Sequence, residues 1–172
     1  RGALKLRFLG TGTSFGVPVI GCDCQACTSS DPRDFRQRHG ALLTVADGKT
    51  ILVDTPPDLR MQLLQARVKR IDAVWYTHGH ADHTHGIDDL RVFCARDNRR
   101  LPVFADRELA ALLRRKFEYI FDQSYLPAGG PKVNLDLYEF DAWQSVDVVG
   151  AHLTALPLPH GDTTVFGFRV GH

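Results

Sequence analysis

The alternation of apolar and polar positions divides the chain into short strands and a few helices. Leu4 to Leu9 alternates apolar and basic residues, the pattern of a half-buried strand. Ala41 to Ala46 and Thr50 to Asp54 are two more strand patterns, and Asp47-Gly48 between them is a hairpin signal. Thr55-Pro56-Pro57 reads as a cap with Pro in the first turn of a helix to Ala66, burying Leu59, Leu63 and Leu64. Ile71 to Thr77 is a buried strand. A helix from Asp82 to Ala95 follows, with Ile87, Leu90 and Phe93 on one side. Leu101 to Ala105 is a short strand. Asp106 caps a helix from Arg107 to Phe121, whose Leu109, Leu112, Leu113, Phe117 and Ile120 keep helical spacing. Asp122 to Lys132 is the longest irregular segment, of the kind that frames binding sites. Val133 to Leu137, Val146 to Val149, Leu153 to Leu158 and Val165 to Val170 continue as strands.

Composition narrows the class. A chain of 172 residues, 44% hydrophobic and 24% charged, is that of one ordinary globular domain. A net charge of +1 gives no global reason for nucleic acid or an anionic membrane as partner. Apolar runs fall far short of a membrane span. The start, Arg1-Gly2-Ala3, has neither an initiating Met nor an apolar leader core. Of the four Cys, three are clustered, which fits metal binding in a reducing compartment better than a disulfide scaffold; a cytoplasmic location is expected.

The chemistry concentrates after the Ile71 to Thr77 strand. His78-Gly79-His80-Ala81-Asp82-His83 reads H-x-H-x-D-H, with four potential metal ligands within six residues. Imidazoles and a carboxylate suit zinc, manganese or iron. His78 and His80 are two apart, so at a strand end both lean toward one point. Asp82 and His83 are adjacent and diverge in a first helical turn, an arrangement that serves two neighbouring metals better than one. A solvated His-rich loop is the alternative.

Other candidates are weaker. Cys22, Cys24 and Cys27 form C-x-C-x-x-C, a set of soft ligands for one structural zinc, which is normally four-coordinate. His39 is the nearest candidate in sequence for a fourth ligand. Three reduced thiols without metal are the plainer reading. The Gly10 to Gly16 loop either approaches a phosphate closely or is a simple turn. Arg33, Arg36 and Arg38 either meet a phosphate or lie in a mixed-charge surface loop. Asp54, at its strand end, either orients a ligand His or caps a helix. His85 is an active-site candidate or a solvated helix residue. Asp88, Asp89 and Arg91 shape a pocket rim or pair with one another. Cys94 is core, and the Arg114-Arg115-Lys116 run is a solvated face.

The H-x-H-x-D-H sequence after a strand resembles the signature of the metallo-β-lactamase superfamily. Leu4 to Ser14 is similar to the first strand and glycine loop of its phosphodiesterase branch. Gly16-Val17-Pro18, Gly21-Cys22-Asp23-Cys24-Gln25-Ala26-Cys27 and Gly86-Ile87-Asp88-Asp89-Leu90-Arg91 resemble its phosphoribosyl 1,2-cyclic phosphate phosphodiesterase group. The resemblance implies an α/β (α+β) fold, the αββα sandwich. It implies His160, in Pro159-His160-Gly161, as the third His beside His78 and His80 on one metal, with Asp82 and His83 on the other. It implies two divalent metals, Zn or Mn, with a metal-bridging hydroxide as nucleophile and His80 and Asp82 central to catalysis. The implied substrate is a small cyclic or diester phosphate. A tRNA 3′-processing nuclease and an inactive or one-metal fragment are the alternatives; β-lactam hydrolysis fits poorly. The family continues with a bridging Asp, a further His and the fourth ligand of the Cys site. All would lie beyond His172, so a fold truncated at its C-terminal end is expected, with a possible homodimer over exposed apolar surface.

Overall fold

Buried, β-branched and aromatic runs pair into two sheets in the computed structural model, which describes residues 4–122, 124–125 and 128–171. The first sheet has the order β1 (Lys5–Gly10), β2 (Gly40–Thr44), β3 (Thr50–Val53), β4 (Ala73–Trp75), β5 (Leu101–Asp106), β6 (Leu135–Phe140). Its first three strands are antiparallel and the rest parallel. The second sheet is the antiparallel set β7 (Ser145–Val148), β8 (Ala151–His160), β9 (Thr163–Val170). The β2–β3 hairpin closes at Asp47-Gly48, where Gly48 takes φ +83° at no steric cost.

The helices α1 (Leu59–Gln65), α3 (Arg91–Asp97), α4 (Arg107–Lys116) and α5 (Glu118–Phe121) cover one face of the first sheet, and the single turn α2 (Ala81–Thr84) follows β4. Leu59, Leu63, Phe93, Leu109, Leu113 and Ile120 pack there against Leu42, Leu52, Val74 and Val103. The opposite face meets the second sheet through Ile51, Trp75, Phe104, Phe140, Leu153 and Phe166. The α/β architecture is therefore as expected, with helix, sheet and sheet layered in that order. Among the described residues no helix covers the outer face of the second sheet.

Several local expectations change. The helix expected from Asp82 to Ala95 is broken into α2, a 3₁₀ turn at Ile87–Leu90 and α3. The break falls at Gly86, whose N–H turns to the Thr55 carbonyl at 2.8 Å, and where a Cβ would lie 2.0 Å from the Pro56 carbonyl oxygen, so only Gly fits this close approach. The helix from Arg107 likewise stops at Lys116, because Phe117 takes φ −124°, ψ 44° before the short α5. Asp106 caps α4 as expected, accepting from the backbone N–H groups of Glu108 and Leu109. Thr55 does not cap α1. It is buried, with its hydroxyl 2.6 Å from Tyr76 Oη, and Asp58 occupies the cap position. Leu64 is exposed, and Gln62 takes the buried place beside Leu59 and Leu63. β6 starts at Leu135, two residues later than expected, and runs on to Phe140. Leu4, Leu6 and Phe8 are more than half exposed; β1 is the edge strand of its sheet, paired with β2 alone. Part of the irregular segment from Asp122 to Lys132, at 123 and 126–127, lies outside the described residues, as do residues 1–3 and 172.

Trp75 ties the two sheets together. It is fully buried, stacks on Phe140 at 4.3 Å, and donates its indole N–H to the Phe166 carbonyl at 3.0 Å. Trp75→Phe should cost about 1–3 kcal/mol, the penalty of an orphaned buried carbonyl. Trp75→Ala should cost about 3–5 kcal/mol. Urea unfolding followed by fluorescence and circular dichroism checks the ranking.

Candidate metal centre

The site stands at the carboxyl ends of β3 and β4, where parallel strands deliver side chains to one rim. β4 ends at Trp75, and Thr77 then carries the chain across the gap between the sheets, its carbonyl accepting from Phe166 N–H at 2.8 Å. His78 and His80 follow at once. His78 Nε2 and His80 Nδ1 are 3.1 Å apart. His160, the last residue of β8, comes in from the second sheet, its ring centroid 5.2 Å from His78 and 5.6 Å from His80. One nitrogen from each of the three imidazoles falls in a group no wider than 4.8 Å.

Asp82 and His83 stand beside this triad, in α2. His83 Nε2 is 3.4 Å from Asp82 Oδ2, and the His83 ring centroid is 4.1 Å from that of His78. The other ring nitrogen, Nδ1, is 2.6 Å from Asp54 Oδ2. Asp54 is fully buried and sits at φ +62°, a backbone conformation Asp tolerates better than most residues. It also accepts from Thr77 N–H at 2.8 Å and from the Thr77 hydroxyl at 2.7 Å. It therefore orients His83 and the β4 end, and caps no helix.

Burial sets the charge state of the imidazoles. Desolvation, helped by the neighbouring His83, pushes His78 down to about 4, which favours its neutral form. Burial also pulls on His83, but its bond to Asp54 and the charge of Asp82 outweigh that and raise it. His39 is lowered by burial, partly offset by Asp54.

Gly79 sets the turn between the two histidines. A Cβ there would come 2.4 Å from Leu112 Cδ2 and 3.3 Å from Leu109 Cδ1, so α4 lies directly against the H-x-H backbone. Lys116, expected only on a solvated face, donates from its ammonium to the Gly79 carbonyl at 2.8 Å. Nothing in its position in the Arg114-Arg115-Lys116 run signals that contact.

Other expected positions fall elsewhere. His39 does not belong to the cysteine cluster. It faces Asp54 and stacks on His83, with ring centroids 5.0 Å apart. His85 packs edge-on against Phe117 at 5.6 Å, outside the imidazole group. Arg33 pairs with Asp31 and Arg38 with Asp58, and Arg36 binds the backbone of Arg33 and Phe35, so this is a self-satisfied surface segment. Asp88 pairs with Arg91 and accepts from Tyr119 Oη. Cys94 is buried, as expected for core. Cys22, Cys24 and Cys27 do come together, their sulfur atoms within 4.8 Å of one another. The backbone N–H of Cys27, then the Cys22 thiol, lower Cys24 to about 7, which favours the thiolate. No fourth donor joins them among the described residues.

The imidazoles border a cavity of about 660 Å³ that Gly12, Thr13 and Ser14 also line. The glycine loop is thus beside the site and not a remote turn.

This fold and donor set are those of a known class. The sequence model of the beta-lactamase superfamily domain matches residues 49–172, and the chain belongs to that superfamily. Among solved structures, "a new diphosphatase from the PhnP family" superposes with a TM-score of 0.85 at 38% identity, over 98% of this chain and 63% of that one. An octanoyltransferase of Porphyromonas gingivalis is 38% identical over 98% of this chain but 33% of its own length. Ribonuclease Z of Bradyrhizobium diazoefficiens is 27% identical over 82% of this chain and 46% of its own. The chain spans a third to a half of the length of these two curated relatives. Among the described residues no helix is long and apolar enough to cross a membrane.

Gly79→Ala should separate His78 from His80 and cost about 1–3 kcal/mol through overpacking against Leu112. A fall in melting temperature together with weaker divalent-metal binding checks it. The Arg38–Asp58 pair gives a pH prediction. Arg38 holds the Asp58 carboxyl below its ordinary 3.8. Its contribution is therefore full above pH 3.8 and is lost as pH falls through the lower folded value. Asp58→Asn should cost roughly 1 kcal/mol at pH 7, and progressively less as the pH is lowered below 3.8. Urea unfolding of both proteins across that pH range reads the difference.

Proposed function

We propose that this chain carries the metal centre of a metal-dependent phosphoester hydrolase that acts on a small cyclic or diester phosphate. The observation that carries the reading is the meeting of His78, His80 and His160, from two segments about 80 residues apart in sequence, on one point. The donor set fits a divalent metal. The nitrogens converge, and burial keeps His78 neutral and able to ligate.

His78, His80 and His160 would hold one divalent cation, zinc or manganese. Asp82 and His83 would supply ligands to a second. When bound, such a cation lowers the pKa of a coordinated water from about 15.7 towards roughly 7, so hydrolysis can proceed at neutral pH. The protein's own contribution is orientation. Asp54 fixes the His83 ring, Gly79 and Lys116 hold the H-x-H turn, and Thr13 and Ser14 line the cavity where a phosphate would sit. The likeness to a diphosphatase supports a phosphorus-centred substrate; a phosphoribosyl 1,2-cyclic phosphate-like diester is the particular one we favour. Cys22, Cys24 and Cys27 would hold a structural zinc that pins the loop after β1, in keeping with their free thiols and a reducing, cytoplasmic setting.

The likeness to ribonuclease Z supports a second reading, cleavage of tRNA 3′ ends. The net charge of +1 and the internally paired Arg33 and Arg38 argue against it, because RNA binders normally present a free basic patch.

The test is hydrolysis of bis(p-nitrophenyl) phosphate by the purified chain supplied with Mn²⁺ or Zn²⁺. His80→Ala should lower turnover by at least about a hundredfold, beyond the loss typical of residues behind the ligands. Unchanged turnover in that variant refutes the assignment. Faster cleavage of a tRNA precursor than of small diesters would favour the second reading.

A further inference from the structure

We propose that His39 is a positioning residue, which shares the Asp54 carboxylate with His83 and so holds the His83 ring in the orientation that serves the cation site. The inference rests on the metal-centre reading above.

His39 Nε2 lies 3.4 Å from Asp54 Oδ2, the same oxygen that meets His83 Nδ1 at 2.6 Å and the Thr77 hydroxyl at 2.7 Å. The His39 nitrogen is buried and has no hydrogen-bond partner among the described residues. A buried ring nitrogen without a partner is costly, and Asp54 Oδ2 is the acceptor within reach. Asp54 is itself fully buried, so its charge has to be met by donors inside the protein. Two imidazoles therefore flank one carboxylate. They also stack on each other, with ring planes 25° apart. On the far side of His83, Nε2 is 3.4 Å from Asp82 Oδ2. The order His39, Asp54, His83, Asp82 thus runs from the residue before β2 to the proposed cation, its His39–Asp54 step at 3.4 Å being a close ion-pair contact and not a formed hydrogen bond.

The backbone around His39 gives that ring little freedom. Arg38 is clamped by its guanidinium and its own N–H to the Asp58 carboxylate, at 2.6 to 3.0 Å. Gln62 donates to the Arg38 carbonyl at 2.7 Å. At Gly40 a Cβ would stand 2.5 Å from Gln62 Oε1, so the chain on that side is pressed against α1. A ring anchored from both neighbours and facing a buried carboxylate is suited to transmit position. A plain packing role would need the ring but not its N–H.

Two variants separate these roles. His39→Phe keeps a ring to stack on His83 and removes the N–H; His39→Gln returns a donor without the ring. The probe is Mn²⁺ alone, titrated into the metal-free chain and read by electron paramagnetic resonance, because the thiol cluster is a poor site for manganese. His39→Phe should weaken Mn²⁺ binding about tenfold, and His39→Gln should restore most of it. Long-range ¹H–¹⁵N spectra of the metal-free chain should show the His83 Nδ1–H signal retained in His39→Gln and shifted in His39→Phe. Equal Mn²⁺ affinity in His39→Phe and wild type overturns the proposal, as does a His39→Gln chain as weak as His39→Phe. Circular dichroism melts show whether each variant is folded; if His39→Phe does not fold, His39→Gln decides, near-wild-type affinity supporting the donor role and a tenfold loss overturning it. If His80→Ala binds Mn²⁺ as well as wild type, the metal-centre reading falls instead. The His83 spectrum then judges His39 alone, and an unchanged signal in His39→Phe overturns its role.

Discussion

A single buried carboxylate, Asp54, is the constraint on which the site depends. A charge with no exposure to water is tolerable only where donors surround it, and Asp54 has the Thr77 N–H, the Thr77 hydroxyl and the His83 ring. The contacts fix two elements. Thr77 is the exit of β4, and His83 is the heart of α2. The backbone of Asp54 is bound as well, its N–H to the Trp75 carbonyl at 2.9 Å. Reaching these partners demands φ +62°, which costs of order 1–2 kcal/mol for an L residue. The surrounding bonds over-determine the position, so the strain persists.

From that anchor the rest of the site follows as a matter of register. β4 lies next to β3 in parallel, so their carboxyl ends coincide, and the residues after each meet. The second sheet is held in step by two bonds across the gap, Trp75 Nε1–H to Phe166 O and Phe166 N–H to Thr77 O. Those bonds place the β8–β9 hairpin, and His160 at its end, over the H-x-H turn. A slip of one residue in β9 would turn every side chain to the opposite face and disconnect that link. The loop after Asp54 is fastened too, Thr55 N–H to the His83 carbonyl and Gly86 N–H to the Thr55 carbonyl.

Helix α4 supplies the floor. Its Leu109 and Leu112 lie against Gly79, with Leu112 Cδ2 only 2.4 Å from where a Cβ would stand, and Lys116 reaches back to the Gly79 carbonyl. The spacing of the two imidazoles is thus governed from 30 residues downstream as well as by the local turn. A similar economy holds in the Arg33 to Arg38 segment, where three cations that look available in sequence are all engaged, two of them by carboxylates and Arg36 by backbone carbonyls.

Much was legible in the sequence because it is encoded locally. Alternating and continuous apolar runs place the strands, Asp47-Gly48 the hairpin, Asp106 the cap of α4, and H-x-H-x-D-H at a strand end marks the donor cluster within six residues. Cys22, Cys24 and Cys27 meet for the same reason: close spacing leaves them little choice. What only the tertiary structure decided depends on partners distant in the chain. The break at Gly86 comes with its N–H bond to the distant Thr55 carbonyl, and the exposure of Leu4, Leu6 and Phe8 with an edge position. His39 has no motif around it, and sequence distance pointed to the cysteines. Pairing of β2 with β3 instead brings it beside Asp54, because the start of one antiparallel strand lies against the end of its neighbour.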